Sequence, residues 1–501
     1  MNRTAAAAIA VLTLLGLTSA PARGAETWTE MKSAHFTAWS KAGDRSTRDL
    51  LWQLEQIRFA VATLWPWART DLTKPMLVIA VKDEQSMKVL APGYWERKGG
   101  VHPASLWLSG ADQSYMAIRT DAQNDDNVLI NPNTSTYFSY VHLILTSSFG
   151  RELPLWFSRG LAGVLSNTIV RGNEILLGPP IPWHLDTLRS GGRLRLRELI
   201  TVTSSSKEYT QDAGLERFDA QAWALVHFLM FGSNAARQAG VNKFAALLTS
   251  GADPSSAFVE TFGRVEDLEA DFARYLDRSL YSYKQFIIDR QIKREQFTQR
   301  PIPPAESAAG RATFHAAMGR AVEARALIDE ARKADPKSGN SYVAEALLLQ
   351  REQKKAEADA AFVKAASLGC TNAHAYYRAA MSMWGTGRPD AAVLQQMETY
   401  LSRATELNPI FAQSYGALAE VRAALKKPSD DIIALLTKAI ALDPFDPWIR
   451  MMAARSLWRL DKLEEARKVA RVAVTLAAND ANAKAQAEEL LARIPQPQSK
   501  L

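Results

Sequence analysis

The strongest constraint on the fold is a repeat in the C-terminal part of the chain. A proline preceded by Asp or Asn recurs at Pro336, Pro409 and Pro444, which are 73 and then 35 residues apart. The first interval is two units of the second plus a short insertion. This spacing predicts helix–turn–helix units that bury their apolar faces by stacking, which is an all-α solenoid. An alanine lies five residues before each proline, where packed helices must approach closely: Ala331, Ala404 and Ala439.

The repeat resembles the tetratricopeptide repeat, a helix–turn–helix unit of about 34 residues. About five such units fit between Ala305 and Ala492, so we place the repeats at residues 305–495 and a tail at 496–501. The resemblance implies a concave groove that binds a protein or peptide partner. Cys370 falls at a junction between helix pairs and is interpreted as a small packed residue.

The N-terminus has the pattern of a secretory signal peptide. Arg3 supplies the positive charge, Ala5–Leu17 is a short apolar run, and Ala22 and Gly24 are small residues at positions −3 and −1 of a cleavage site. We therefore expect a signal peptide at 1–24 and a periplasmic or secreted location in a bacterium. The single cysteine rules out an internal disulfide, which suits a bacterial envelope protein. No later stretch is apolar for long enough to predict a transmembrane segment.

The charge balance points to no particular class of partner. The chain carries 60 basic and 53 acidic residues, a formal net charge of +7, and loss of the leader with its two arginines would leave +5. One short basic cluster alternates with Leu194 and Leu196, which favours a strand or extended edge. Nucleic-acid binding needs a broader basic surface with stacking aromatic residues, so we expect no nucleic-acid partner. The cluster comprises Arg189, Arg193, Arg195 and Arg197.

The residues between the leader and the repeats predict an α+β arrangement. Pro75–Val81 is a continuous apolar run typical of a buried strand, and Arg171-Gly172-Asn173 between two short apolar runs predicts a hairpin. Charged residues followed by Arg300-Pro301-Ile302-Pro303-Pro304 predict a proline-rich linker at 291–304. The other predicted strands are 35–39, 115–120 and 128–130, and the predicted helices are 45–64, 134–149, 154–166, 219–231 and 265–284.

Two stretches of this part carry the pattern of a known kind of site. The first is Tyr140-Val141-His142-Leu143-Ile144-Leu145-Thr146, and the second is Leu153-Pro154-Leu155-Trp156-Phe157-Ser158-Arg159-Gly160-Leu161-Ala162. With the order and spacing of the segments around them, they resemble the gluzincin-type peptidase MA-like families, including a related bacterial domain of unknown function. The resemblance covers about residues 25–290. It implies a zincin-like fold, in which H-E-x-x-H on one helix and a glutamate on the next helix hold Zn²⁺.

Three of the four chemical positions of that site are replaced. The resemblance places His142 at the first metal ligand, Leu143 at the general base, Thr146 at the second histidine and Arg159 at the third-ligand glutamate. Leucine cannot accept a proton, and a guanidinium is a fixed positive charge that repels Zn²⁺. One imidazole cannot hold zinc by itself. We therefore expect no catalytic residue, no bound metal and no other cofactor in this degenerate site.

Several interpretations of these residues stay open. His142 could be a hydrogen-bonded core residue, or it could join Glu174 or His184, which is predicted to lie in a loop, in an unusual metal site. Arg159 could pair with Glu152 or another carboxylate, or point to solvent. The altered cleft could also bind an anion or a peptide C-terminus.

The sequence leads to competing functional hypotheses. The first is an exported, catalytically inactive metallopeptidase-like protein that binds protein or peptide partners through its repeats and its degenerate cleft. The second is an active zinc-dependent peptidase, or another hydrolase, with an atypical site. In a third version the peptidase-like part is only a scaffold, and the repeats carry all the function.

Overall fold

Strands and helices are mixed in the N-terminal part of the chain, and helices alone make up the C-terminal part. The computed structural model describes residues 27–72, 74–96, 102–124, 127, 129–149, 152–384, 389–478 and 480–496. This order confirms an α+β part followed by an all-α part. The expected signal peptide and nearly all of the expected tail lie outside the described residues. Within the described ranges, no helix combines the length and apolar character that crossing a membrane requires.

Nine strands lie in the described residues: β1 Thr29–Lys32, β2 Thr37–Ser40, β3 Met76–Val81, β4 Ser105–Ser109, β5 Ser114–Arg119, β6 Ile169–Arg171, β7 Glu174–Leu177, β8 Lys284–Ile287 and β9 Thr298–Pro301. Six of them form a mixed sheet in the order β4-β5-β3-β2-β1-β9, and β6, β7 and β8 form a separate antiparallel sheet. Strands β2, β3 and β5 run parallel, and β4 is an antiparallel edge. Ala38, Val78 and Met116 lie side by side and are fully buried, so this row faces the core.

The segment predicted as a proline-rich linker completes the six-stranded sheet instead of separating two domains. Strand β9 pairs with β1 so that Arg300 lies opposite Glu30. Its guanidinium donates two hydrogen bonds, of 2.9 and 3.0 Å, to that carboxylate. Pro301 ends the edge strand, where a missing N–H is tolerated. All four residues of β9 are exposed, so no apolar alternation marks the strand in the sequence.

The strand predicted at 128–130 is not formed. Leu129 lies in a turn with a φ of 52°, and Ile130 makes a single bridge, while Val128 lies outside the described residues. The edge strand is β4 instead. The last three residues of β4, 107–109, are partly or fully exposed, which weakens the apolar pattern of the segment in the sequence.

Eleven helices lie in the described N-terminal part: α1 Asp44–Leu64, α2 Glu84–Leu90, α3 Thr134–Ser148, α4 Leu155–Ser166, α5 Pro182–Arg189, α6 Leu196–Thr201, α7 Lys207–Thr210, α8 Asp212–Phe231, α9 Ala235–Thr249, α10 Pro254–Phe262 and α11 Val265–Leu276. Helix α4 packs against both α3 and α8. A Cβ on Gly160 would lie 2.4 Å from the carbonyl oxygen of Ala222, so only glycine permits this approach of α4 to α8. Trp156, Phe157 and Trp223 fill the core around these helices.

One helix prediction and one strand prediction in this part differ from the structure. The helix predicted at 265–284 ends at Leu276, and the chain continues into β8. The basic cluster is not a strand, because Arg189 ends α5 and Arg197 lies within α6. Helix α6 begins here because Glu198 accepts a 2.9 Å hydrogen bond from the backbone N–H of Arg195, which caps the first turn.

The C-terminal part is a series of stacked helix pairs, as the repeat predicts. Five pairs run from α12 to α21, and α22 closes the series. Ala331, Ala404 and Ala439 are fully buried, which confirms that these alanines are the points of close helix packing. The helices are α12 Pro304–Met318, α13 Ala321–Ala334, α14 Gly339–Arg351, α15 Lys355–Ser367, α16 Ala373–Met383, α17 Ala391–Leu407, α18 Ala412–Ala424, α19 Ser429–Leu442, α20 Pro447–Arg459, α21 Leu463–Leu476 and α22 Ala481–Arg493.

The solenoid packs back against the N-terminal part along its length. At its start, Gly310 of α12 seats on Trp39 of the sheet, where a Cβ would lie 1.9 Å from the indole ring. Two later turns of the solenoid also reach the N-terminal part, so the two parts enclose space between them. The polar contacts at these turns are Asn372 Nδ2 to Asp112 Oδ2 at 2.8 Å and Arg69 Nη2 to the carbonyl oxygen of Ala441 at 2.7 Å.

Candidate functional site

Helix α3 presents the first motif stretch to a cavity of about 610 Å³, which we name the cleft cavity. His142 and Thr146 lie one helical turn apart on the same face, and both line it. Thr146 is exposed and its Oγ1 donates to the carbonyl oxygen of Leu143 at 3.1 Å. Leu143 is half-buried and its side chain offers no acceptor. This face of α3 therefore has one imidazole and no carboxylate.

Helix α4 brings Arg159 close to His142, and Arg159 is held by a carboxylate from a third helix. Its Nε and Nη2 both donate to Asp219 of α8, the second at 2.6 Å, and its Nη1 lies 3.5 Å from the hydroxyl of Tyr209. The guanidinium also lies over the ring of Phe138, 5.0 Å from its centroid. Burial opposes the charge, but the bonds to Asp219 raise the pKa of Arg159 overall. The partner of Arg159 is thus a carboxylate other than Glu152, and a neutralised guanidinium is a poor anion site.

The side chain of His142 is half-buried and stacks on Phe138, with ring centroids 6.1 Å apart and an angle of 9° between the rings. Burial lowers its pKa, and the positive charge of Arg159 lowers it further. The imidazole is therefore neutral near pH 7. The imidazole is half-buried and lines the cleft cavity, whereas a hydrogen-bonded core residue was one of the alternatives that the sequence left open.

The two residues considered as extra metal ligands lie in other surroundings. His184 is in α5, not in a loop, and it packs against Trp223 with ring centroids 5.7 Å apart. Burial lowers its pKa to about 4. Glu174 opens β7, where it pairs with Ile287 of β8. Across the described ranges, no three His, Cys, Asp or Glu side chains are grouped so that they could hold a metal ion. With a guanidinium beside His142, the residues present do not fit Zn²⁺.

The solenoid supplies one wall of the cleft cavity. Asp443, Phe445 and Asp446, from the turn between α19 and α20, line it opposite α3 and α4. We call this segment the solenoid turn. Arg69, which also lines the cavity, fixes the end of α19, directly before the solenoid turn, to the N-terminal part through its bond to Ala441. The cavity is therefore built jointly by the two parts of the chain.

Among the charged side chains that line the cleft cavity, four carboxylates face one arginine, Arg69; the four are Asp71, Glu152, Asp443 and Asp446. Burial raises the pKa of Asp443, and the neighbouring charge of Asp446 raises it further. Asp446 caps α20 by accepting from the backbone N–H of Trp448 at 2.7 Å, and it also accepts from Gln413 Nε2 at 2.8 Å. The bond to Gln413 ties the solenoid turn to α18.

Two arginines of the basic cluster are paired within the N-terminal part. Arg193 Nη1 donates to Asp277 at 2.7 Å, and Arg197 pairs with Glu266. The charges of these two arginines are therefore balanced by local ion pairs. Cys370 is 2% exposed and burial raises its pKa to about 11, in agreement with a small packed residue.

Comparisons with known proteins find likeness in solved structures alone. No protein-family model matches the chain, and no curated protein matches it. YrrB, described as a TPR protein with an unusual peptide-binding site, is 18% identical over 37% of this chain and 92% of its own, with a TM-score of 0.29. The pilF protein of Pseudomonas aeruginosa is 18% identical over 38% of this chain and 91% of its own, with a TM-score of 0.26.

TTC0263 of Thermus thermophilus, described as a thermophilic TPR protein, is 20% identical over 38% of this chain and 99% of its own, with a TM-score of 0.25. Each likeness thus involves nearly the whole of the other chain and a minor share of this one. At TM-scores this low, the description of the C-terminal part rests on its own helix pairs.

Several residues of the site carry no signal in the sequence. Asp219 opens a predicted helix, 60 residues after Arg159, and nothing in that spacing marks it as a partner. Tyr209 lies in the four-residue helix α7, which has no apolar periodicity. Asp443 and Asp446 belong to the repeat punctuation, where they are expected as turn and cap residues. Only the packing of the solenoid turn brings them to the cleft.

Proposed function

We propose that this chain is an exported, catalytically inactive metallopeptidase-like protein that holds protein or peptide partners between its degenerate cleft and its tetratricopeptide solenoid. One observation carries the proposal: the cleft cavity is walled on one side by the motif helices and on the other by the solenoid turn. A volume of about 610 Å³ is within the range of sites that bind ligands. A site built from both parts fits capture of a segment that also runs along the solenoid.

The resemblance to peptidase MA-like families supports the first half of this proposal. The two motif stretches form neighbouring helices, and Arg159 stands close enough to His142 to lower its pKa. This is the arrangement that the resemblance implies for the first and third ligand positions. The replacement of the glutamate by an arginine that is already bound to Asp219 supports loss of the metal.

The peptide-binding half is tested with the mature chain, residues 25–501, immobilised and panned against random peptides displayed on phage. Selected peptides are resynthesised and their affinity is measured by fluorescence polarisation. Ser147→Trp places an indole in the cleft cavity and should weaken binding at least tenfold. Ser139→Trp is the matched control, because Ser139 is also on α3 and also bonds to a helix carbonyl, but it does not line the cavity. Equal affinities for the two variants would contradict the proposed site.

The catalytic half is tested on the same preparation. Metal content by mass spectrometry and cleavage of casein with and without a chelator separate the proposal from its rival, an active zinc-dependent peptidase or other hydrolase with an atypical site. We expect zinc far below one equivalent and no chelator-sensitive cleavage. Near-stoichiometric zinc with such cleavage would establish the rival.

A further inference from the structure

A second cavity, of about 520 Å³, lies where the solenoid meets the edge of the six-stranded sheet. We name it the seam cavity. Lys74, Ala111 and Asp112 line it from the N-terminal part, and helices α16 and α18 line it from the solenoid. The hydrogen bond of 2.8 Å between Asn372 and Asp112 holds its two sides together. Like the cleft cavity, it does not exist in either part alone.

The solenoid side of the seam cavity is aromatic. Phe411 packs edge-on against Tyr377, with ring centroids 5.2 Å apart, and lies 6.3 Å from the ring of His374. Burial lowers the pKa of His374 to about 3 and raises that of Tyr377 to about 12, so neither ring carries a charge near pH 7. The wall is therefore a neutral aromatic surface, which favours another aromatic ring.

One polar atom of this wall is left unsatisfied. Nε2 of His374 is buried and has no hydrogen-bond partner among the described residues. Most buried polar side-chain atoms have such a partner, and an exception needs an explanation. A ligand in the adjacent cavity would supply the missing partner after a small rotation of the ring.

The N-terminal side of the seam cavity brings little net charge. Lys74 is the one cation among the lining residues, and Asp112 is the one acid. The ammonium of Lys74 is committed to the carbonyl of Gly110 and to Ser109 Oγ, and Asp112 accepts from Asn372. A charged ligand group would therefore lose its hydration without gaining a free counter-ion. An uncharged side chain loses little on entry.

We propose that the seam cavity is a side-chain pocket for an aromatic residue, Trp or Phe, of the bound peptide. This inference rests on the proposed function, because it names the side chain that a peptide partner would bring. The closeness of the two cavities supports a peptide as the source of the ring. Gln413 lines the seam cavity and donates to Asp446, which lines the cleft cavity, so the two cavities are neighbours and an extended segment is long enough to reach both.

The test uses the mature chain and the blocked tripeptides acetyl-Ala-Xaa-Ala-amide, with Trp, Phe, Ala, Lys or Asp at the centre, measured by isothermal titration and saturation-transfer NMR. We expect the Trp and Phe peptides to bind at least tenfold more tightly than the other three. Ala111→Trp fills the pocket from the N-terminal side and Ala373→Trp from the solenoid side. Each should weaken binding of the Trp peptide at least tenfold.

Ala392→Trp is the matched control, since Ala392 is exposed on α17 and does not line the pocket. Both pocket positions are at least partly open to solvent, and unchanged thermal unfolding checks that the variants fold. Equal binding of all five tripeptides, or wild-type binding by both filled variants, would overturn the aromatic pocket. The proposed function would stand in that case if phage-selected peptides still bind the cleft. Failure of every peptide, selected or blocked, would overturn the proposed function as well.

Discussion

The ion pair between Arg159 and Asp219 gives a prediction that can be worked out from the structure. The two side chains are 16% and 20% exposed and share two parallel N–H···O bonds. Removing one partner of a fully buried pair costs about 3–5 kcal/mol, and breaking an exposed pair costs about 0–1 kcal/mol. Because some water reaches both groups, we expect Asp219→Ala to lower the free energy of unfolding by about 2 kcal/mol.

The cost of that substitution comes mainly from the guanidinium that it strands. After loss of Asp219, Arg159 keeps a 3.5 Å contact to Tyr209 and the ring of Phe138. The double variant Arg159→Met with Asp219→Leu removes both charges and keeps apolar volume. It should therefore be more stable than Asp219→Ala alone, although it carries more changes.

Urea unfolding followed by tryptophan fluorescence measures this effect, because 10 of the 13 tryptophans precede residue 290 and report on this part of the chain. Asp267→Ala is the control. Its ion pair with Arg264 joins side chains that are 59% and 72% exposed, and its loss should leave the unfolding midpoint unchanged. If Asp219→Ala behaves like this control, or if the double variant is the less stable one, the pair does not hold α4 to α8 as argued.

Two further predictions follow from the same helices. The triple substitution Leu143→Glu, Thr146→His and Arg159→Glu should restore stoichiometric zinc binding, measured by mass spectrometry of the folded protein, because Thr146 lies one turn from His142 on α3 and Arg159 approaches His142 from α4. The control is the double variant Leu143→Glu with Arg159→Glu, which lacks the second histidine. If the triple variant folds but holds no more zinc than this control, the result would count against a degenerate zinc site. The free energy of unfolding should also fall in acid because of His227. This residue is fully buried, accepts a hydrogen bond from Tyr275 and donates one to the carbonyl oxygen of Gly178. Burial lowers its pKa to about 4. The unfolded chain then binds the proton more tightly, so this contribution is complete above about pH 6.5 and shrinks as the pH falls toward 4. Between pH 7 and pH 5, the free energy of unfolding measured in urea should fall by about 2 kcal/mol less for His227→Gln than for the unsubstituted protein. Equal decreases for the two proteins would refute the lowered pKa of His227.

The fold was predictable where a segment has a regular pattern of its own. The buried strand β3, the hairpin of β6 and β7 and the alanines of the helix pairs all follow from local periodicity and turn residues. Strand β9 was not predictable, because its four residues are exposed and the last of them begins a proline-rich run. Pairing with β1, far away in the chain, makes it a strand. Long-range pairing of this kind leaves no periodic trace in the segment itself.

The sequence by itself determined which groups the site lacks. Leu143, Thr146 and Arg159 stand at their positions whatever the fold does, and no packing can turn them into a base or a ligand. It also determined the helix pairs of the solenoid. The tertiary structure alone decided that Asp219 neutralises Arg159 and that the solenoid turn closes the cleft. These contacts join residues 60 and about 300 positions apart, and only the packing of whole helices and sheets brings such groups together.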